Sequence, residues 1–262
     1  MSYWHALLLA IVEGLTEFLP VSSTGHMVIV ANLLGIGQLP FTETFITSIQ
    51  LGAILSVVAL YWRRFLQSFD FYLKLAVAFL PFGILGFLLK DVIAELLKSV
   101  TVVATSLVVG GIVLLFIDRI FKEPGKQITT PSYAKALKVG LFQCLALVPG
   151  VSRSAATIVG GLAQGFDRRS AADFSFLLAV PTMTVITAYE LYKTYKLNPL
   201  QAADIKVLLF GNAVAFVVAL LAVRSFVTFV SRYGFRAFGI YRIIVGVIIL
   251  TMIGLGINLQ LV

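Results

Sequence analysis

Two glutamates four residues apart, Glu13 and Glu17, stand in an otherwise apolar run, YWHALLLAIVEGLTEF. At that spacing both carboxylates lie on one face of a helix. Side by side they repel unless something positive separates them. Two chemistries fit. They can hold a divalent cation, Mg2+ or Ca2+, through oxygen ligands, with positions left open for phosphate oxygens. Alternatively, one carboxyl stays protonated and serves as a general acid or base. Just downstream the chain reads PVSSTGH at 20–26. The plainest use of that segment is to cap a helix, because Ser and Thr oxygens accept from free backbone N–H groups. Capping explains Ser22 and Thr24 as well as chemistry does. Three hydroxyls and a histidine close to two carboxylates nevertheless exceed what a cap needs. Ser23 is a candidate nucleophile, with His26 or Glu17 managing its proton. A water activated by Glu17 or His26 serves equally at this stage, and His26 as an ordinary hydrogen-bonded packing residue is the competing use.

A second polar segment, PGVSRSAAT at 149–157, opens a helical pattern. A helix N-terminus turns free N–H groups and a partial positive charge outward, which suits phosphate. Arg153 adds a planar, permanently charged fork matched to phosphate oxygens. Ser152, Ser154 and Thr157 add hydroxyl donors. The structural alternative for Arg153 is an ion pair with Glu13 or Glu17.

The elements that must position these groups belong to a membrane. Hydrophobic residues make up 60% of the 262-residue chain and charged residues 12%, with a mean hydropathy of +1.01. A soluble domain carries roughly twice that charge, so the chain cannot cover its apolar surface in water. The single cysteine, Cys144, excludes an intrachain disulfide and a multi-cysteine zinc site, and His5 and His26 are too few for a His-rich metal centre. The net charge of +8 is read as basic cytoplasmic loops rather than a nucleic-acid surface. The first residues have no basic region and no small-residue cleavage site, so a removable signal peptide is not expected there.

A crossing helix needs about 20 largely apolar residues. Six segments qualify, at approximately 41–62, 71–90, 100–121, 170–192, 205–225 and 237–257, with turns such as Lys122–Lys126 between them. Pro81 predicts a kink in the second. Residues 3–34 and 134–164 are each broken midway by the two polar segments, and each half is too short to cross alone. They read as re-entrant helical hairpins.

With six spans and two hairpins, Arg63, Arg64, Lys74, Arg119, Lys122, Lys126, Lys135, Lys138, Arg168, Arg169, Arg224, Arg232, Arg236 and Arg242 fall on one face. Only Lys90, Lys98, Lys193, Lys196 and Lys206 fall on the other. The positive-inside rule makes the first face cytoplasmic. Both termini and the first hairpin then enter from outside, and the second hairpin from inside. A shift of 130 positions sets Glu13 on Gln143, Leu15 on Leu145, Val21 on Val151, Ser22 on Ser152 and Ser23 on Arg153. The expected architecture is therefore a single all-α polytopic membrane domain over 1–262. Its six spans and two hairpins form inverted-topology repeats whose broken helices meet near the midplane.

EGLTEFLPVSSTGH at 13–26 together with PGVSRSAAT at 149–157 resembles the bacterial undecaprenyl-diphosphate phosphatase family, the bacitracin-resistance type. The resemblance in length and span pattern covers essentially the whole chain. It implies removal of one phosphate from a polyprenyl diphosphate lipid, recycling the carrier for peptidoglycan synthesis in the bacterial cytoplasmic membrane, with divalent-cation dependence and a site open to the extracytoplasmic side. Carried over by position, Glu17, Ser23, His26 and Arg153 would be catalytic. Glu13, Ser22, Thr24, Ser152, Ser154 and Thr157 would bind substrate, and Glu13 and Glu17 would hold the metal. The expected partners are the lipid substrate and membrane lipid, with no nucleic acid; homo-oligomerisation is left open. The rival from another class is a lipid flippase or transporter, since inverted repeats with discontinuous helices are also transporter architecture.

Overall fold

The computed structural model describes residues 1–66, 68–121, 131–197, 201–257 and 259. Among them every regular element is helical: α1 (Tyr3–Thr16), α2 (Ser23–Leu33), α3 (Pro40–Leu60), α4 (Trp62–Phe65), α5 (Phe69–Leu88), α6 (Lys90–Leu97), α7 (Val100–Ile120), α8 (Tyr133–Gln143), a 3₁₀ turn (Cys144–Leu147), α9 (Arg153–Ala163), α10 (Arg168–Leu197), α11 (Ala202–Tyr233) and α12 (Arg236–Gly254). Serine hydroxyls start several of them. Ser2, Ser68, Ser99 and Ser132 accept from the N–H groups of His5, Phe71, Val102 and Lys135, which satisfies donors that the first helical turn leaves free.

Helices α3, α5, α7, α10, α11 and α12 are long and apolar enough to cross a membrane. They coincide with the six expected spans apart from shifts at the ends. Helix α11, at 32 residues, is about 48 Å long at 1.5 Å per residue, so it outreaches a hydrocarbon core of about 30 Å. Helix α5 continues through Pro81. The outward faces carry Leu80, Ile84, Phe87, Val109, Phe116, Val217, Leu221, Ile244 and Val247, all exposed. Such an apolar surface is stable in lipid and not in water. The expected turn Lys122–Lys126 lies outside the described residues.

The two interrupted regions fold as helix–break–helix: α1 and α2 around 17–22, and α8 and α9 around 144–152. Helix α1 packs on α11 and α8 packs on α5. Glycines allow both approaches: a Cβ on Gly14 would meet the backbone of Ala215 and Ala219, and one on Gly140 the Ala78 carbonyl. Helices α7 and α12 cross where Gly111 and Gly239 each face the other's carbonyl. A cluster of Phe18, Phe176, Phe226 and Phe235 lies in the main core. Phe18 and Phe176 meet edge-on at 5.6 Å, which anchors the residue next to Glu17.

At one end of the bundle, polar bonds join several helix termini. Tyr61 donates to Asp173 at 2.5 Å. Asp118 accepts from Arg168 and from the Phe235 N–H, both at 2.8 Å. Near the starts of α5 and α8, Tyr133 and Lys74 both bond Asp70 at 2.6 Å. Arg242 corrects the assignment of basic residues to faces. The sequence reading counts it among the cytoplasmic charges, yet it lies inside α12 and is fully buried. Arg242 stands inside the expected span 237–257 and inside α12, so assigning each charge to its nearest loop places it wrongly.

Candidate active site

Helix α1 ends at Thr16, and Glu17 is its C-terminal cap. Glu13 and Glu17 face the interior: Glu13 is 0% exposed and Glu17 7%. Glu17 has a hydrogen-bond partner on each oxygen. Its Oε2 accepts from Ser23 Oγ at 2.7 Å, and its Oε1 accepts from an Arg153 terminal nitrogen at 3.3 Å. Glu13 is the opposite case: no N–H or O–H donor reaches either of its buried oxygens, and its carboxyl lies within hydrogen-bonding reach of the Glu17 carboxyl. A buried carboxylate is costly unless a cation, a proton or a donor compensates it.

Ser22 and Ser152 precede α2 and α9, and both hold positive φ, 70° and 75°. Among the described residues they are the only non-glycine residues that do. Such backbone costs of order 1–3 kcal/mol each and persists only where the surroundings impose it. Ser152 caps α9 by accepting from the Ala155 N–H at 3.2 Å. Ser22 makes no cap bond; its carbonyl instead accepts from His26 Nδ1 at 2.8 Å. A carbonyl only accepts, so Nδ1 carries the proton, and the neutral ring's Nε2 then accepts from Tyr241 O–H at 2.6 Å. The two rings are stacked.

Arg153 opens α9. One terminal nitrogen donates to the Ser175 carbonyl at 3.2 Å and the other to Glu17. Its Nε–H is buried without an acceptor, and the guanidinium lies over the Phe18 ring at 5.8 Å. Ser154 Oγ donates to the Phe18 carbonyl at 2.6 Å. Thr157 Oγ1 bonds Ser175 Oγ at 2.6 Å. The second helix pair is thus fastened to the end of the first by side chains from both.

The structure brings Glu17, Ser23 and Arg153 into one hydrogen-bonded chain, with Glu13 beside Glu17. Ser154 and Thr157, on the helix that Arg153 opens, bond the Phe18 carbonyl and Ser175 instead. Ser22 and Ser152 supply the backbone bends. His26 is bonded to the Ser22 carbonyl and Tyr241, while Ser23 is bonded to Glu17. Thr24 is exposed on α2, outside this chain of bonds. A carboxylate on a serine hydroxyl, beside an arginine with a spare donor at a helix N-terminus, can activate an oxygen nucleophile against a bound phosphate.

The family described as Bacitracin resistance protein BacA matches residues 6–248 of this chain. Proteins named undecaprenyl-diphosphatase are similar throughout. The one from Bdellovibrio bacteriovorus is 52% identical over the full length of both chains. The one from Flavobacterium johnsoniae is 52% identical over 95% of this chain and 96% of its own. The one from Porphyromonas gingivalis is 47% identical over 99% of each. The chain belongs to the BacA family.

Three residues of this BacA protein escaped the sequence reading. Ser175 and Tyr241 sit within apolar spans, where nothing in a single sequence marks them as partners of Thr157 and His26. Arg242 did carry a signal. An arginine followed by IIVGVIIL is well inside a span, where a charge costs about 2.5–3.5 kcal/mol on insertion scales and is by default a hypothesis about function.

Proposed function

We propose that this chain is a membrane phosphatase that hydrolyses undecaprenyl diphosphate to the monophosphate, recycling the lipid carrier for cell-wall synthesis and conferring bacitracin resistance. The names of its relatives support that activity and do not favour the flippase. The observation that carries the site assignment is the chain Ser23–Glu17–Arg153, which joins both breaks through a 2.7 Å and a 3.3 Å bond.

Ser23 Oγ attacks the terminal phosphorus and its proton passes to Glu17 Oε2. The bridging P–O bond breaks, and the electron pair leaves with the lipid monophosphate. Glu17 gives that proton to the departing lipid phosphate. Water then attacks the phosphoserine phosphorus and passes its own proton to Glu17. The P–O bond to Ser23 breaks to release inorganic phosphate, and Glu17 returns the proton to the serine oxygen. Arg153, with its unused Nε–H, and the N-terminus of α9 hold the phosphoryl oxygens where charge grows. His26 steadies the Ser22 carbonyl next to the nucleophile, Ser152 caps the phosphate-binding helix, and Ser22 and Thr24 flank the headgroup. The Glu13 oxygens, which no donor reaches and which lie beside Glu17, fit a small hard cation. Glu13 and Glu17 would hold Mg2+ or Ca2+, which supplies neutralisation of diphosphate charge.

The two breaks belong to re-entrant hairpins in inverted repeats. Three observations support this: the shared positive φ of Ser22 and Ser152, the matched packing of α1 on α11 and α8 on α5, and the Gly111–Gly239 crossing. The basic residues at the end where Asp118, Asp173 and Asp70 join the helix termini, among them Arg168 and Lys74, support a cytoplasmic location for that end. Both termini and the site then face the extracytoplasmic side, with the isoprenoid tail left in lipid. In a Cys144→Ala background, cysteine at Lys98 or Lys193 should react with an impermeant thiol reagent in intact cells, and cysteine at Lys126 only after permeabilisation. The reverse pattern would invert the orientation. The activity itself is tested by phosphate release from purified protein given undecaprenyl diphosphate, with and without chelator. No release with metal present sinks the phosphatase assignment, and undiminished release in chelator removes the cation.

A further inference from the structure

The second buried arginine is bonded quite differently from the first. Arg242 is 0% exposed, and its guanidinium donates to five backbone carbonyls. Nε reaches Leu107 at 3.3 Å; one terminal nitrogen reaches Pro20 at 3.1 Å and Val151 at 2.9 Å; the other reaches Ser106 at 3.1 Å and Gly150 at 2.9 Å. A guanidinium has five N–H donors, so none remains for a ligand. Pro20 belongs to the first break, Gly150 and Val151 belong to the second, and Ser106 and Leu107 are on α7. The Val151 carbonyl is part of the peptide that leads into Ser152, and Pro20 stands two residues before Ser22. Arg242 therefore holds the chain within two residues before each positive-φ serine. Its neighbour Tyr241 bonds His26, so two consecutive residues of α12 reach both halves of the site.

We infer that Arg242 is a positioning residue for the phosphatase reaction, a clamp whose five bonds set the distance between the break that carries Ser23 and the break that carries Arg153. This rests on the site assignment above. The physical reason is that the reacting groups come from separate helix pairs. Ser23 begins α2 and Arg153 begins α9, and an error of about 1 Å in their separation can cost about a hundredfold in rate. Backbone carbonyls at helix breaks lack helical partners, and in a dry interior each would carry an unsatisfied acceptor. One arginine satisfies three of them and registers the two breaks against each other. Lysine cannot replace it, because an ammonium has three donors and no planar fork. Gly110 completes the arrangement, since a Cβ there would collide with an Arg242 terminal nitrogen.

The test uses full-length protein in detergent or liposomes with undecaprenyl diphosphate. For Arg242→Lys, kcat should fall at least about tenfold while KM changes by less than about threefold, because attack geometry is lost but the phosphate-binding break survives. Gly110→Ala, which displaces the guanidinium without removing it, should lower kcat in the same way by a smaller factor. A folded Arg242→Lys protein with kcat within about twofold of the parent overturns the assignment, as does a loss carried by KM alone. If neither variant yields folded protein, Arg242 is a structural bond and the positioning role is also overturned. Arg153→Lys is measured alongside. If it keeps full turnover, the site assignment itself fails, whereas an impaired Arg153→Lys beside a normal Arg242→Lys removes the clamp alone.

Discussion

The two breaks have similar backbone bends but different chemistry. Ser22 lies at φ 70°, ψ 96° and Ser152 at φ 75°, ψ 117°, and each introduces a helix of 11 residues. At matching positions, however, the first break region has Glu13, Glu17 and Ser23 where the second has Gln143, Leu147 and Arg153. The carboxylates and Ser23 come from one copy of the bend, and the guanidinium from the other. A shared bend thus creates two helix N-termini, and under the proposed mechanism the side chains next to them decide which activates an oxygen and which binds a phosphate. The arginines differ in the same sense. Arg153 keeps its Nε–H without an acceptor, whereas Arg242 has every donor engaged. A binding arginine needs spare donors, and a clamp has none to spare.

If the first break is the reactive one, Ser23→Ala should abolish phosphate release, by about 10⁴-fold or more when serine is the nucleophile. Retention of most hydrolysis would make water the nucleophile and leave Ser23 only a phosphate ligand. Glu17→Gln comes next, at about 10²–10⁴-fold, because the amide keeps the shape but cannot take the Ser23 proton. Turnover close to the parent's would move the base elsewhere.

In the second break, Arg153→Lys keeps the charge and loses the fork. Its rate should fall at least about tenfold, equivalent to about 1.4 kcal/mol of barrier. A folded Lys variant with parental kcat/KM would remove Arg153 from phosphate binding. The smallest expected effect separates the two serines at the bends. Ser152→Ala removes a cap bond and should cost about 1 kcal/mol of stability, seen as a lowered Tm in detergent. Ser22→Ala removes no cap bond and should cost less. A larger loss from Ser22→Ala would show that the bends are held by different forces than the hydrogen bonds indicate.

From the sequence alone, hydropathy determined the all-α membrane class and the six spans, because about 20 apolar residues in a row have few other uses. Local composition also determined the two interrupted regions: Pro, Ser and Gly within an apolar stretch mark where a helix must stop. The motif residues themselves, Glu13, Glu17, Ser23 and Arg153, were legible because ionisable and nucleophilic groups at membrane depth need a reason to be there. Tertiary structure alone decided which of them touch. That Ser23 bonds Glu17 and not His26, that His26 bonds Tyr241, and that Ser175 meets Thr157 all depend on how α1, α2, α9, α10 and α12 pack. The spacing offered both partners for Ser23, and the His26–Tyr241 contact joins residues 215 positions apart, which no local spacing encodes. Arg242 was visible as a residue and misassigned as a surface charge. Whether an arginine near a helix end reaches outward or inward depends on what lies beside it, and here that is a set of carbonyls left open by two breaks more than ninety residues away in the chain.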